Sequence, residues 1–281
     1  MKQPKKFNLT ISLGILFLLL LAITACETKK EEEAEARKTV EMITDAGTLR
    51  IELYNETPQH RDNFIKIVQE GAYDSLLFHR VIENFMIQGG DPDSKVSQPG
   101  ETLGSGGLEY TVPAEFHPAL FHKKGALAAA RTGNPERASS SMQFYLVQGR
   151  VLTDSLLVGA ENTINEWLAE YYVIHDPANK SLLDSLQKAE ADKNWKHFWT
   201  LQDSVSLIAK TYQDFERYTI PEEHQQVYKN IGGTPFLDQN YTVYGEVVTG
   251  LHVIDSIARV PTDSLNRPVK DVRILSVKVV E

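Results

Sequence analysis

The sequence predicts a mainly β domain of compact antiparallel type, interrupted in its second half by a helical segment. Three observations carry that expectation. Apolar residues alternate at Leu49, Ile51 and Leu53 beyond a turn signal at Asp45-Ala46-Gly47, the period-2 pattern of a half-buried strand. Residues 78–148 are short apolar runs punctuated by glycine, proline and serine. Between 152 and 230 glycine almost vanishes apart from Gly159, and apolar residues recur at helical spacing.

Taken in order, residues 40–54 read as a hairpin around 45–47. Thr57-Pro58 offers an N-cap with proline at the first helical position, and Phe64, Ile67 and Val68 follow before Gly71. That is one amphipathic helix covering a sheet. The glycine-rich piece 100–107 lacks the GK[ST] ending of a phosphate loop and reads as a flexible surface loop. In the segment 152–230, Asp176-Pro177 marks a helix start, and Thr219 followed by Glu222 fits a capping box. Its length demands helices of its own, and all three tryptophans, Trp167, Trp195 and Trp199, fall inside it. Strand text resumes at 241–248 and 269–280, separated by a helical stretch around 253–258. The last strand is expected to pair with the opening hairpin, because that removes exposed edges.

With 42% apolar and 24% charged residues, the 281-residue chain has an ordinary globular composition. Its net charge of -9 argues against a nucleic-acid partner, which needs a basic face. The N-terminus reads as an address: Lys2, Lys5 and Lys6 precede the apolar run ISLGILFLLLLAI over 11–23, too short to span a bilayer comfortably. Ile23-Thr24-Ala25-Cys26 resembles a bacterial lipoprotein box, with Cys26 as the lipid-bearing residue. Cys26 is the only cysteine, so no intramolecular disulfide forms. The expected organisation is a signal peptide over 1–25, a charged tether over 26–38, a β domain over 39–151 and 231–281, and the helical insert over 152–230. The domain is expected to be monomeric and held outside the cytoplasm at the membrane of a bacterial envelope.

Three segments carry the chemistry: FHRVIENFMIQGGD over 78–91, GALAAARTGNPERASSSMQFYLV over 125–147, and TPFLDQNYTVYGEVVTG over 234–250. Together they resemble the cyclophilin family of peptidyl-prolyl isomerases, over roughly 39–148 and 232–281. The first matches the family pattern FHR-x-I-x-x-FM-x-QGGD at every fixed position. The resemblance implies an eight-stranded antiparallel barrel capped by two helices, with a peptide groove on its outside. It further implies Arg80 as catalytic residue, Phe85 and Met86 in a proline pocket, Gln88 reaching the substrate backbone, and Gln143, Phe144 and Tyr145 continuing the wall. Ala130, Arg131 and Thr132 would present backbone to the substrate, and Phe236, Leu237 and Tyr241 would close the pocket. Met142 stands where the family usually has serine and Phe236 where it has tryptophan, and since that tryptophan favours cyclosporin, its binding is expected to be weakened. Tyr145 replaces a phenylalanine and Tyr241 a histidine.

The residues support the same chemistry without the family. An X-Pro bond isomerises over a barrier of about 18 to 20 kcal/mol because twisting forfeits amide resonance. On twisting, the proline nitrogen becomes pyramidal and gains a lone pair, so a fixed cationic donor bonds the transition state more than the ground state. Arginine suits this because its charge is permanent and its fork can be held rigid. No nucleophile, metal or cofactor is called for. His79, His117 and His122 match no zinc-ligand spacing and read as packing or solvent histidines. The competing reading is a non-catalytic module that only binds proline peptides in the envelope.

Overall fold

The computed structural model describes residues 36–280, and the expected signal peptide, Cys26 and most of the expected tether lie outside them. The opening hairpin joins β1 (Thr39–Thr44) to β2 (Gly47–Leu53) in the register Met42 opposite Leu49 and Val40 opposite Ile51. Thr44 closes the turn, its hydroxyl accepting from the Ala46 N–H at 3.1 Å and donating to the Gly47 carbonyl at 2.7 Å. Helix α1 (Pro58–Gln69) starts at the proline after Thr57 and turns His60, Phe64, Ile67 and Val68 inward. Phe64 packs at ring-centroid distances of 5.0, 5.9 and 5.6 Å from Tyr73, Phe144 and Tyr244.

The remaining strands are β3 (Arg80–Ile82), β4 (Met86–Gly89), β5 (Thr111–Val112), β6 (Ala126–Ala129), β7 (Ser139–Ser140), β8 (Phe144–Val147), β9 (Val243–Thr249) and β10 (Ile274–Val279). Eight form one antiparallel sheet in the order β10-β1-β2-β9-β6-β8-β4-β3, while β5 and β7 pair separately. The tail strand pairs with β1, as the sequence leads one to expect. The sheet curls on itself: just ahead of its edge strands, the Phe78 N–H donates to Val272 and the Ile274 N–H to Leu76, at 2.9 and 2.8 Å. Helix α1 covers one part of the enclosed core and α6 (Leu251–Ala258), with Val253, Ile254 and Ile257 buried, another.

Strand alternation sorts two apolar clusters on opposite faces. Leu127, Ala129, Phe144, Leu146 and Ile87 point to the enclosed core. Their neighbours Ala126, Ala128, Tyr145, Val147 and Met86 form a second cluster with Leu237 and Val243. Every residue of β6 and β8 is buried, so the outer face of the sheet is also covered here.

Part of that cover comes from the helices between β8 and β9: α2 (Asp154–His175), α3 (Lys180–Ala191), α4 (Trp195–Ala209) and α5 (Glu222–Asn230). Val173, Ile174, Leu186, Ala189, Phe198 and Val205 give α2, α3 and α4 an apolar core of their own. The segment leaves and rejoins the sheet through a backbone crossing at Gly149 and Gly233. A Cβ on Gly149 would lie 2.4 Å from the Gly233 Cα, and Gly149 has φ +60°, so only glycine fits. The Asp176 side chain caps the short turn Pro177–Asn179 that leads into α3. The capping box at Thr219 does not form: α5 begins at Glu222 with Pro221 at its N-cap. The residue before a proline is disfavoured in helical geometry, and the Ile220 N–H is instead engaged by Glu161 at 3.0 Å.

Candidate active site

One row of residues crosses the outer face of the sheet. The register sets Arg80 opposite Gln88, Gln88 opposite Tyr145, and Tyr145 opposite Ala128. Period-2 alternation makes these side chains share a face, so four short strands bring together residues far apart in sequence. Beside the row lies a cavity of about 320 Å³ lined by Arg80, Phe85, Met86, Gln88, Ala130, Arg131, Tyr145, Leu237 and Tyr241.

The half-buried Arg80 guanidinium is held from one side. Its Nη1 donates to Gln88 Oε1 at 3.2 Å, and Gln88 Nε2 donates to Gln143 Oε1 at 3.0 Å. Gln143 Nε2 donates in turn to the carbonyls of Gly104 and Gly106, at 3.0 and 2.7 Å. The chain of amides fixes one edge of the fork, and no described carboxylate forms an ion pair with Arg80. Burial presses its pKa down, yet an arginine keeps its proton at any physiological pH. The Phe85 ring sits 6.0 Å from the guanidinium carbon, at the outer limit of cation–π attraction.

The apolar floor is Met86, Tyr145 and Leu237, each nearly inaccessible. Tyr145 is fixed through its hydroxyl, which lies 2.9 Å from His122 Nε2, while His122 Nδ1 meets Asp238 Oδ1 at 2.8 Å. With the His122 proton on Nδ1 facing the carboxylate, Nε2 accepts from Tyr145. Burial holds the phenol well above its ordinary pKa, so it stays a donor. The other Asp238 oxygen accepts from Tyr228 of α5 at 2.7 Å. The helical segment is thereby hydrogen-bonded to the group that orients the pocket wall.

Four of the residues that the sequence reading assigns to substrate binding stand elsewhere. Phe144 is 0% exposed and points into the enclosed core against Phe64, Tyr73 and Phe78. It is a core residue and not a wall of the groove, because its neighbour Tyr145 occupies the opposite face of β8. Phe236 does not line the cavity but stacks behind Phe85 at 5.7 Å and meets Trp167 of α2 edge-on at 6.5 Å. Gln143 acts through Gln88, and Thr132 is exposed beyond the cavity rim, its carbonyl accepting from Arg131 Nη1 at 3.3 Å.

The sequence reading missed the roof. Glu101, Thr102, Leu103 and Gly104 line the cavity, as do Asp263, Leu265 and Arg267. The loop 100–107, expected to be a free surface loop, is tied down instead: buried Asp91 accepts from the N–H groups of Gly104 and Gly106. The signal was present in the aspartate that ends QGGD, whose Oδ1 caps the Asp93 N–H at 2.9 Å while its Oδ2 is left to reach the loop. His79 also reaches the cavity, and burial lowers its pKa to about 4.

Comparison with known proteins bears on this geometry. The family model described as cyclophilin type peptidyl-prolyl cis-trans isomerase/CLD matches residues 39–194 and 217–279. A provisionally named peptidyl-prolyl cis-trans isomerase of Staphylococcus haemolyticus is 28% identical over 241 residues, covering 85% of this chain and 90% of its own. One of Staphylococcus aureus (strain USA300), also provisionally named, is 28% identical over 254 residues, covering 90% and 96%. Among solved structures, a cyclophilin type peptidyl-prolyl cis-trans isomerase of Cryptosporidium parvum superposes with a TM-score of 0.52 at 17% identity, over 87% of this chain and 98% of that one. A second structure of that protein, obtained in the presence of the dipeptide Ala-Pro, gives 0.51 at 16% identity over 86% and 99%. The family model covers well over half of the chain and takes in the strands that carry Arg80, Gln88 and Tyr145, and on that ground the chain belongs to the cyclophilin-type peptidyl-prolyl cis-trans isomerase family.

Proposed function

We propose that the groove isomerises X-Pro bonds in unfolded or flexible polypeptides, with Arg80 as the catalytic residue. The observation that carries this reading is a permanent cation, braced by Gln88, on the wall of a hollow floored by Met86, Tyr145 and Leu237. The hollow of Phe85, Met86, Tyr145 and Leu237 grips the pyrrolidine ring, and the flanking chain turns about the imide bond. Arg80 then donates to the proline nitrogen as its lone pair develops. One preorganised donor of this kind is worth about 2.7 to 4 kcal/mol, or roughly a hundredfold to a thousandfold in rate. The remainder comes from holding the ring while one torsion moves. The Ala-Pro dipeptide used with the Cryptosporidium parvum protein supports a proline-containing ligand for the same groove.

We further propose that the domain works as a monomer outside the cytoplasm, tethered to a bacterial membrane through lipidated Cys26. The three lysines, the apolar run and the single cysteine at the end of it support this placement. No helix among the described residues is long and apolar enough to cross a membrane. Labelling with a radioactive fatty acid is expected to mark the wild-type protein and not Cys26→Ala. Label on both would remove the anchor. For the reaction, isomerisation of a short Ala-Pro peptide is expected to accelerate with wild-type protein. Arg80→Ala is expected to lose about a hundredfold to a thousandfold with an unchanged circular dichroism spectrum, and equal rates would remove the enzyme reading.

A further inference from the structure

A second cavity, of about 450 Å³, opens where the helices meet the sheet domain. Arg131 and Tyr241 line both this cavity and the proline hollow, so the two adjoin across those side chains. Its sheet-domain wall is the loop carrying Arg137, and its helical wall includes Trp167, Glu170 and Trp199. Trp199 is 57% exposed, yet its indole lies 3.8 Å from where a Cβ on Gly133 would stand.

The two arginines are unusually placed. Arg131 donates from Nε and Nη2 to the carbonyl and side-chain oxygen of Asn240, at 3.0 and 2.8 Å, and lies over the Tyr241 ring. Arg137 lies 3.7 Å from the Tyr171 ring centroid and donates from Nη1 to the Gln239 carbonyl at 2.8 Å. Its Nε is buried with no hydrogen-bond partner. Neither guanidinium forms an ion pair with any described carboxylate, although the chain carries an excess of acids. Partly desolvated cations are ordinarily paired.

The loop is built to hold Arg137 there. Asn134 Oδ1 accepts from the Ala138 N–H at 2.8 Å and its Nδ2 donates to the Ala138 carbonyl at 2.9 Å. Between them Arg137 adopts φ +53°, a conformation that non-glycine residues seldom take and that concentrates at functional sites. One carboxylate, Glu170, also lines the cavity, but its Oε1 accepts from Ser206 of α4. Two guanidiniums against one engaged carboxylate leave the hollow net positive.

We propose that this cavity is a subsite for an acidic side chain, Asp or Glu, of the same polypeptide whose proline occupies the first hollow. This rests on the isomerase reading of that hollow. An extended chain advances about 3.3 to 3.6 Å per residue, so a segment leaving the proline pocket past Tyr241 enters the second cavity within a few residues. The incoming carboxylate accepts from the remaining Nη hydrogens of Arg137 and Arg131, and its neighbours cover Trp199.

The test uses a nine-residue host peptide centred on Ala-Pro, with Glu or Gln at each of four positions on either side, titrated calorimetrically into the full chain at low salt. At one position or two adjacent ones Glu is expected to bind roughly ten- to a hundredfold more tightly than Gln, the range for a hydrogen bond to a charged group. Arg137→Gln is expected to bring that ratio below about twofold without changing affinity for the Gln peptide. Glu170→Gln is expected to raise the ratio, because it removes the one opposing charge. A Glu to Gln ratio near one at every position overturns the proposal, as does a preference that survives Arg137→Gln. If Arg137→Gln does not fold, an unchanged ratio in Glu170→Gln overturns it instead. Since binding is read without turnover, a Glu-selective protein with no isomerase activity supports the subsite and counts against the isomerase reading alone.

Discussion

The outer face of β3, β4 and β8 lines the proline hollow and one face of α2 and α4 lines the adjoining second cavity, yet the two are built on different rules. On the sheet, Arg80, Gln88 and Tyr145 meet because hydrogen-bonded register leaves each side chain one of two directions. On the helices, Trp167 and Trp199 line the second cavity only because the whole segment docks, through Trp167 against Phe236 and Tyr228 against Asp238. The difference teaches that the sheet sets the reaction geometry locally, while the helices add contacts that depend on tertiary packing. Substitutions on the sheet face should therefore strike the rate, and substitutions on the helices should strike stability and substrate choice.

The largest effect that sharpens this contrast is expected from Arg80→Lys. Lysine keeps the charge but cannot both brace on Gln88 and aim at the proline nitrogen. Steady-state kinetics should give a kcat/KM loss of about thirtyfold or more. Next comes Gln88→Ala, which frees the fork and strips Gln143 of its donor, with an expected loss of roughly tenfold in kcat. Tyr145→Phe stands between the two regions. It leaves His122 Nε2 buried without its donor, at a cost of about 1 to 3 kcal/mol, so calorimetry should show Tm lowered by several degrees with peptide turnover changed by less than about threefold. A turnover loss comparable to that of Gln88→Ala would break the separation.

The smallest effect is a pH dependence. His79 titrates near 6.5 when unfolded and near 4 when buried, so in between the unfolded chain binds the extra proton. Stability contributed by its neutral form is complete above about pH 6.5 and is lost as pH falls toward 4. Denaturant midpoints measured across that window should fall, while kcat between pH 7 and 9 should stay flat because Arg80 does not titrate there.

Much of the sheet side was legible in the sequence, and the reason is period. Leu49, Ile51 and Leu53 announce a half-buried strand, and FHRVIENFMIQGGD sets Arg80 and Gln88 on strands joined by a short turn. The same rule exposes where the reading slips: Phe144 and Tyr145 are adjacent aromatics, and composition does not say which of them faces the groove. Only pairing with Gln88 and Gly89 decides. The roof over the cavity was hidden because loop 100–107 has no periodicity, and its order comes from Asp91 and Gln143, distant in sequence. The helices were visible as helices, but their contact with the sheet domain was not, since a tryptophan at helical spacing looks the same whether it packs on its own bundle or on Phe236.

The central claim is that Arg80 favours a twisted amide over a planar one, and NMR exchange spectroscopy on a saturating Ala-Pro peptide tests it directly. Affinity and on-protein cis-trans exchange are read from the same sample for wild type and Arg80→Ala. The expected result is a Kd changed by less than about threefold while exchange slows by roughly two to three orders of magnitude. Exchange that continues at the wild-type rate, or that slows only in proportion to lost affinity, would contradict the account.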